Sequence, residues 1–275
     1  MPELPEVETV MRGLDAALTG QIIARTELAR SDLRWPVPDG LVQALTGARV
    51  AGFRRRGKYI LLRLDRGFSL LIHLGMSGRM TIDQAPQPHQ HFSLYTASGR
   101  VVGFVDPRRF GALDLVATEA EDQHWLLAKL GPEPLEPALT LTYLARALAG
   151  KSSAIKISLL DQALIAGIGN IYASEALHRA GINPTTPSGK LSRKRLTTLI
   201  AAIRETLSDA IAAGGSSLRD YAQPSGELGY FQHAWRVYDR AGAPCAQCPG
   251  PPRCAGITRI VQSNRATYYC PVSQA

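Results

Sequence analysis

Residues 131–137 read Gly-Pro-Glu-Pro-Leu-Glu-Pro, and this stretch divides the 275-residue chain into two parts of different character. Its three prolines cannot continue a helix, because proline fixes its φ angle and has no N–H to donate. Such a segment is typical of a stiff connector. We therefore predict a linker at residues 131–139 that follows an N-terminal domain at residues 1–130.

The part before the connector is predicted to be mostly β-structure. Residues 5–18 carry apolar side chains at helical spacing, and Gly20 follows them, which predicts one amphipathic helix. Short strand-like runs then alternate with Gly, Pro and Asp. The runs are residues 48–54, 59–64, 68–74, 92–96, 100–105 and 111–116. They predict an antiparallel sandwich or barrel packed against the first helix.

The part after the connector is predicted to be mostly helical. A short helix at 122–129 precedes the connector, and further helices are expected at 140–149, 153–160, 171–180 and 192–213. Residues 140–232 form a predicted helical domain. Residues 235–275 are rich in Gly, Pro and Cys and have few apolar residues to form a core. We therefore expect this last segment to need a cross-link, which its cysteines can supply. The expected fold class is α+β.

The formal charge of +8 is unevenly distributed. Lys and Arg number 17 against 16 Asp and Glu in residues 1–150, and 14 against 7 in residues 151–275. Such an excess favours a polyanionic partner, although a basic surface that only aids solubility is the alternative, and charge does not separate DNA from RNA. No apolar run reaches membrane-spanning length and no secretory signal is visible, so we expect no membrane association and a cytoplasmic location.

The first residues, Met1-Pro2-Glu3, can supply a nucleophile. Removal of Met1 would leave a proline amine, and an α-amine titrates near pH 8, far below lysine. Attack of this secondary amine on a sugar carbon gives an iminium ion, which is an electron sink for later eliminations. The structural alternative is that Pro2 and Pro5 only stiffen the chain before the first helix.

Seven strings along the chain resemble those of one enzyme family. They are Met1-Pro2-Glu3-Leu4-Pro5-Glu6-Val7-Glu8-Thr9, Arg56-Gly57-Lys58-Tyr59, His73-Leu74-Gly75-Met76-Ser77-Gly78, Asp106-Pro107-Arg108-Arg109-Phe110-Gly111, Leu130-Gly131-Pro132-Glu133-Pro134-Leu135, Gly167-Ile168-Gly169-Asn170-Ile171-Tyr172 and Gly229-Tyr230-Phe231-Gln232. Because they occur in the same order over almost the whole chain, the sequence resembles the formamidopyrimidine-DNA glycosylases, the MutM family of base-excision repair enzymes.

The resemblance implies a bifunctional DNA glycosylase and apurinic/apyrimidinic lyase that excises formamidopyrimidines and 8-oxoguanine from duplex DNA. Pro2 would attack C1′ of the everted nucleotide, and Glu3 would donate a proton at the sugar. Lys58 would assist β-elimination and Arg265 would support δ-elimination. From its basic neighbours alone, Lys58 reads as part of a solvated face, and only the resemblance reverses that interpretation.

Further residues are implied to contact DNA. An enzyme that rotates a nucleotide out of the duplex must fill the vacancy, and the family does this with the residues that match Met76, Arg108 and Phe110. Core packing is the alternative for the two apolar side chains. The matching DNA contacts are His89, Arg108, Lys151, Lys156 and Asn170. Asn170 belongs to a helix–two-turns–helix element, although Gly-x-Gly-Asn alone also reads as a capped helix.

The four cysteines depart from the family pattern. Cys245-x-x-Cys248 matches the first half of a zinc-binding β-hairpin, but Cys270 is followed by Ser273 where the family has its last cysteine. A neutral serine hydroxyl is a poor zinc ligand. We hypothesise that Cys254, which follows an insertion at 249–253, replaces it, so that Cys245, Cys248, Cys254 and Cys270 hold one structural Zn.

Two other functions stay open. One is an endonuclease VIII-type glycosylase for oxidised pyrimidines, which the string Leu4-Pro5-Glu6-Val7-Glu8-Thr9 argues against. The other is a non-catalytic nucleic-acid-binding protein, which the presence of Pro2, Glu3 and Lys58 argues against.

The expected partner is damaged double-stranded DNA, and the expected state is a monomer in the cytoplasm, associated with the nucleoid through DNA binding. The polar loop at 216–228 matches the family loop that closes over an everted purine.

Overall fold

The computed structural model describes residues 2–216, 224 and 229–274. It contains two compact units. The first unit comprises residues 1–128 and 211–232, and the second comprises residues 129–210 and 233–275. Most of the predicted loop at 216–228 lies outside the described residues.

The first unit contains two four-stranded antiparallel sheets, as expected for a sandwich. One sheet has the strand order β1-β6-β7-β5 and the other has the order β2-β3-β4-β8. The strands are β1 (Ile23–Leu28), β2 (Val50–Arg56), β3 (Tyr59–Leu64), β4 (Phe68–His73), β5 (Arg79–Ile82), β6 (Gln90–Thr96), β7 (Val101–Val105) and β8 (Ala112–Ala117). Both sheets contribute buried apolar residues to a common core.

Two α-helices and one 3-10 helix complete the described part of the first unit. Helix α1 (Leu4–Leu18) buries Val7, Val10, Leu14 and Leu18 in that core, because these residues recur at helical spacing. Helix α2 (Leu41–Leu45) is short, and the 3-10 helix spans Thr118–Gln123. Helix α1 packs on β2 and β3, which positions its first turn near one end of the second sheet.

The second unit is helical and ends in a β-hairpin. Its helices are α3 (Leu141–Leu148), α4 (Ile155–Leu160), α5 (Asn170–Arg179) and α6 (Arg193–Ala212), of which α6 ends in the first unit. The hairpin consists of β9 (Thr258–Gln262) and β10 (Arg265–Tyr269). Its turn, Ser263-Asn264, has positive φ at both residues, as a two-residue hairpin of type I′ requires.

The structure confirms the α+β class and most of the predicted elements, and it differs from the prediction at several points, among them the short helix α2, which was not predicted. The helix predicted at 122–129 is wrong, since the described helix there is the 3-10 helix Thr118–Gln123. Strands β1 and β5 were not predicted, because β1 alternates with charged residues and β5 has only four residues. Residues 211–232, predicted within the helical domain, pack with the first unit, where the Ser216 N–H donates to Glu6 Oε1 at 2.8 Å.

Among the described residues, no helix is both long and apolar enough to cross a bilayer.

A buried carboxylate ties the 3-10 helix to the second sheet. Glu121 accepts hydrogen bonds from Arg63 Nη2 at 2.6 Å, Arg54 Nη1 at 2.9 Å and Ser69 Oγ at 2.7 Å. Its side chain is only 2% exposed, whereas the neighbouring Asp122, which also pairs with Arg54, is 63% exposed. Burial opposes ionisation of Glu121, but the hydrogen bonds from Arg63, Arg54 and Ser69 outweigh it and lower its pKa to about 2.

We predict that Glu121→Gln lowers the free energy of unfolding by about 3 kcal/mol, because it leaves two arginines partly buried without a full counter-charge. The matched control Asp122→Asn should cost less than about 1 kcal/mol, since its pair is exposed. Urea unfolding at pH 7 measures both. Because the folded pKa lies below the ordinary value of 4.5, the stabilisation is complete above pH 4.5 and is lost as the pH falls towards about 2. Glu121→Gln should lack this component, and equal losses in both variants would contradict the assignment.

Candidate functional site

The start of the chain is held by a buried acid. Glu3 caps α1 and is 3% exposed, and its N–H donates to Glu6 Oε2 at 2.8 Å in a capping box. Glu6 is 2% exposed and uses its second oxygen for Ser216 N–H. Pro2 is half-buried, and Met1 lies outside the described residues. The first unit therefore fixes the backbone immediately after the predicted nucleophile.

Lys58 occupies the two-residue turn between β2 and β3, where Arg56 pairs with Tyr59. The turn is joined to α1 through Arg55, whose Nε donates to Glu8 Oε2 at 2.7 Å and whose Nη1 donates to the Gly57 carbonyl at 3.1 Å. Arg55 is 9% exposed and Glu8 is 13% exposed. Lys58 itself is 7% exposed, so it is not part of a solvated basic face.

His73 lies beside this turn at the end of β4. Its ring is 4.7 Å from the Tyr59 ring, and its buried Nδ1 has no hydrogen-bond partner among the described residues. Burial lowers the pKa of His73 to about 4, and the positive charges of Arg34 and Lys58 act in the same direction. His73 is therefore neutral at pH 7.

Two loops of the first unit carry the predicted void-filling residues. We call residues 74–78 and 106–111 the wedge loops, since the first carries Met76 and the second carries Arg108 and Phe110. Met76 and Phe110 are each 41% exposed, which argues against core packing for either. The Arg108 guanidinium lies 4.9 Å from the centre of the Phe110 ring. Together with Arg34 and Arg109, these side chains line a cavity of about 630 Å³.

The two histidines at the start of β6 have different surroundings. His89 is exposed and has a positive φ of 66°, so it precedes the strand rather than belonging to it. His91 is buried, and its Nε2 lies 2.9 Å from the Asp106 carbonyl oxygen. An exposed His89 is available for the predicted DNA contact.

Lys156 has a different position from the one predicted for a DNA contact. It is fully buried in the second unit, and its ammonium donates to Asn170 Oδ1 at 2.6 Å, Ala266 O at 2.9 Å and Thr267 Oγ1 at 2.7 Å. Asn170 Nδ2 also donates to Ala266 O at 3.0 Å. Lys156 therefore joins α4, the start of α5 and β10, and its ammonium is not exposed to a phosphate. Lys151, in contrast, is exposed.

Arg265 follows the turn of the β9–β10 hairpin and is exposed. The carbonyl oxygen of the next residue, Ala266, accepts hydrogen bonds from Lys156 Nζ and Asn170 Nδ2. The backbone beside Arg265 is therefore attached to the start of α5. The hairpin thus presents Arg265 from an anchored strand.

The four cysteines cluster in the second unit. The sulfur atoms of Cys245, Cys248 and Cys270 lie within 4.8 Å of one another, and Cys254 Sγ is 3.6 Å from Cys270 Sγ. Two backbone N–H groups, of Gln247 and Ser273, donate to Cys245 Sγ and Cys270 Sγ at 3.4 Å. This cluster can hold a metal ion, since thiolates so arranged and hydrogen-bonded fit a tetrahedral site.

Two other groups lie next to the cysteine cluster. Ser273 Oγ is 3.7 Å from Cys245 Sγ, and His178 Nε2 is 3.5 Å from the same sulfur. His178 is buried, and its Nδ1 has no partner within the described part of the chain. Burial lowers the pKa of His178 to about 4, with a further contribution from Arg236 and Arg240. His178 is the second candidate for a ligand in place of the absent cysteine.

Sequence reasoning did not identify the parts played by Glu6 and Arg55. The spacing of Glu3 and Glu6 carried the signal for Glu6, since it is the spacing of a capping box. No sequence signal distinguishes Arg55 from its neighbours Arg54 and Arg56, because only the fold brings Glu8 to its side.

Comparison with known proteins links these features to one family. Residues 1–113 match the formamidopyrimidine-DNA glycosylase N-terminal domain, and residues 130–222 match the formamidopyrimidine-DNA glycosylase H2TH domain. A formamidopyrimidine-DNA glycosylase of Acidiphilium cryptum is 69% identical over 274 residues, which is 100% of both chains.

Solved structures show the same similarity. The MutM (Fpg) protein of Thermus thermophilus has a TM-score of 0.88 at 39% identity and covers 99% of this chain and 98% of its own. The Lactococcus lactis Fpg has a TM-score of 0.90 at 34% identity, with 99% of each chain covered, in a complex with abasic-site DNA. A mutant of that protein in complex with Fapy-dG DNA gives the same values.

We predict that Arg55→Ala lowers the free energy of unfolding by about 3 kcal/mol, because Glu8 and the Gly57 carbonyl lose a buried cationic donor. The control is Arg12→Ala, which removes an exposed partner of the same Glu8 and should cost about 0.5 kcal/mol. Urea unfolding measures the loss, and amide hydrogen exchange at residues 57–58 tests whether the Lys58 turn loosens. Unchanged exchange in Arg55→Ala would contradict the anchoring role.

Proposed function

The chain belongs to the formamidopyrimidine-DNA glycosylase family, and we propose that it excises oxidised purines from duplex DNA and then cleaves the sugar–phosphate backbone. The observation that carries this proposal is the arrangement at the start of the first unit. Glu3 is buried at the cap of α1, and Lys58 occupies a turn that Arg55 attaches to the same helix. A nucleophile at Pro2 would lie directly before Glu3 in the chain.

The chemistry begins at the proline nitrogen once Met1 is removed. Its lone pair forms a bond to C1′ while the bond from C1′ to the base breaks, and the base leaves with that electron pair and takes up the proton that the proline nitrogen releases. Glu3 is the group we propose as the proton donor at the sugar, which opens to the iminium form. The family activity requires no redox cofactor in these steps.

The elimination steps follow from the iminium ion. This cation acidifies C2′, and loss of a C2′ proton drives the electron pair towards C3′, where the bond to the phosphate oxygen breaks. We propose that Lys58 assists this β-elimination. Loss of a further proton allows the C5′ phosphate to leave in the same way, and exposed Arg265 supports this δ-elimination.

The other site residues prepare the DNA. Met76, Phe110 and Arg108 are exposed together on the wedge loops and would enter the space left by the rotated nucleotide. His89, Lys151 and Asn170 are proposed as DNA contacts. Lys156 is proposed as a positioning residue, because its buried ammonium holds Asn170 and the hairpin that carries Arg265.

The residue roles, the domain boundaries, the monomeric state and the cytoplasmic location stay predictions. An endonuclease VIII-type preference for oxidised pyrimidines is the nearer alternative, and a non-catalytic nucleic-acid-binding protein is the other.

Covalent trapping distinguishes these functions. With borohydride and duplex DNA containing 8-oxoguanine, we expect a cross-linked product whose sugar remnant lies on the tryptic peptide 2–12, which peptide mass spectrometry identifies. Stronger trapping on thymine glycol would favour the endonuclease VIII-type function. Absence of an adduct with both lesions would contradict a catalytic function, provided that intact mass shows Met1 removed.

A substitution at Glu3 separates base removal from imine formation. Glu3→Gln keeps the shape of the cap but cannot donate a proton as an acid, so excision of 8-oxoguanine should fall about 100-fold or more. Trapping on a pre-formed abasic site should persist, because that sugar reaches its open-chain aldehyde form without a proton from Glu3. The control is Glu119→Gln, an exposed carboxylate of the same unit. Equal loss on both substrates would refute the role of Glu3.

We also propose that the cysteine cluster holds one structural zinc ion through Cys245, Cys248, Cys254 and Cys270. Four thiolates at the usual Zn–S distance lie about 3.8 Å apart, which agrees with the 3.6 Å between Cys254 and Cys270. When bound, zinc would staple a segment whose own core is small. Ser273 Oγ is near the cluster but is a poorer ligand than a thiolate.

Metal analysis of variants tests the fourth ligand. Cys254→Ala should lower bound zinc from one equivalent to well below half after dialysis against a chelator, since three-coordinate thiolate sites hold zinc weakly. His178→Phe is the matched control and should retain one equivalent. If His178→Phe loses zinc while Cys254→Ala keeps it, His178 rather than Cys254 is the ligand.

A further inference from the structure

One buried carboxylate residue, Asp106, makes hydrogen bonds to both wedge loops and to the segment that carries His89 and His91. Its side chain is completely buried at the end of β7, where the second wedge loop begins. Asp106 Oδ1 accepts the hydroxyl of Ser77 at 2.7 Å, and Asp106 Oδ2 accepts the Gly111 N–H at 2.7 Å. The donors thus come from both wedge loops, one to each oxygen.

The second wedge loop is held at both ends by this side chain. The backbone N–H of Arg108 lies 3.3 Å from both Asp106 Oδ1 and Ser77 Oγ. The backbone of Arg108 is therefore held by the same two side chains that join the wedge loops. The Arg109 N–H donates to the Asp106 carbonyl at 3.2 Å, and Arg109 has a positive φ of 55°. Such a backbone conformation is costly for a side chain larger than glycine, and these bonds compensate for it.

The two wedge loops also touch directly. A Cβ atom on Gly75 would lie 2.4 Å from the Phe110 carbonyl carbon, and one on Gly111 would lie 3.0 Å from Asp106 Oδ2. Gly75 leaves no room for a side chain, because the backbones of the two loops are in contact there. At Gly111 the space is closed instead by the Phe104 ring, 2.5 Å from such a Cβ, and by the His73 carbonyl oxygen, 2.9 Å from it. Met76 follows Gly75 and Phe110 precedes Gly111, so the exposed apolar side chains project from the most tightly packed point.

A third loop is attached to the same residue through its backbone. The Asp106 N–H donates to the His89 carbonyl at 3.0 Å, and the Asp106 carbonyl oxygen lies 2.9 Å from His91 Nε2. The proposed DNA contact His89 is therefore fixed relative to the wedge by a residue that is itself inaccessible to DNA.

From this geometry we propose that Asp106 is a positioning residue, which holds Met76, Arg108 and Phe110 in the one relative arrangement that can enter the duplex. The inference rests on the proposed function, because it assigns a task to the wedge. A single buried carboxyl side chain suits this task, since its two oxygens accept several N–H and O–H donors at once.

Amide hydrogen exchange tests whether Asp106 holds the two wedge loops together, and it does so without reference to activity. Asp106→Asn keeps the shape but replaces one acceptor oxygen by an NH₂ donor, so it cannot satisfy both loops. We expect exchange to accelerate about tenfold in residues 74–78 and 106–111 together. Ser77→Ala, which removes only the bridge to the first loop, should affect the same two segments. Acceleration confined to residues 106–111 in both variants would overturn the coupling of the loops.

The matched control is Asp83→Asn. Asp83 also holds a turn of the first unit through a backbone N–H, that of Val101 at 2.9 Å, but it is exposed and contacts neither wedge loop. Its substitution should leave exchange in both wedge loops unchanged.

Activity on two substrates tests the positioning role. The wedge is needed to unstack an intact base, whereas an abasic nucleotide has no base to unstack. Asp106→Asn and Ser77→Ala should therefore excise 8-oxoguanine about tenfold more slowly in single turnover, while cleavage of a pre-formed abasic site stays within about twofold of wild type. Equal losses on both substrates, or no loss on either, would overturn the role.

If the wild-type protein forms no borohydride adduct, the proposed function fails, and hydrogen exchange still decides whether Asp106 holds the wedge loops together.

Discussion

The interaction on which the rest of this structure depends is the pair of hydrogen bonds accepted by Glu6. A chain terminus is normally frayed, yet a nucleophile at Pro2 has to stay within bonding distance of a sugar carbon. Glu6 restrains this part of the chain. One of its carboxylate oxygens accepts the Glu3 N–H, the other accepts the Ser216 N–H, and the side chain is buried. The backbone next to the proposed nucleophile is thereby fixed to α1 and to the segment that follows α6.

Two further buried acids also hold irregular segments by accepting backbone or hydroxyl hydrogen bonds. Asp106 accepts donors from the two wedge loops, and Glu175 in the second unit accepts the N–H groups of residues 236–238 at 2.7 to 3.0 Å. A buried acid is costly unless its oxygens are saturated, so each one specifies a single arrangement of the backbone around it. A loop held in this way is fixed by hydrogen bonds to a buried acid and not by apolar packing alone.

This use of buried acids explains which features the sequence could predict. Helix α1 and the strands Tyr59–Leu64 and Phe68–His73 follow from the spacing of apolar residues, and the confirmed fold class follows from them. Burial of a charged side chain has no such signature, because it depends on donors that are distant in sequence. Lys156 therefore reads as a DNA contact until the acceptors at Asn170, Ala266 and Thr267 are seen to enclose it.

Burial also decides which charges act at the proposed reaction centre. His73 adjoins Lys58 and Arg34, and burial together with these two cations lowers its pKa to about 4. A neutral imidazole adds no third positive charge beside Lys58, so it does not compete with Lys58 for a phosphate or carboxylate. Protonation of His73 therefore does not change near neutral pH.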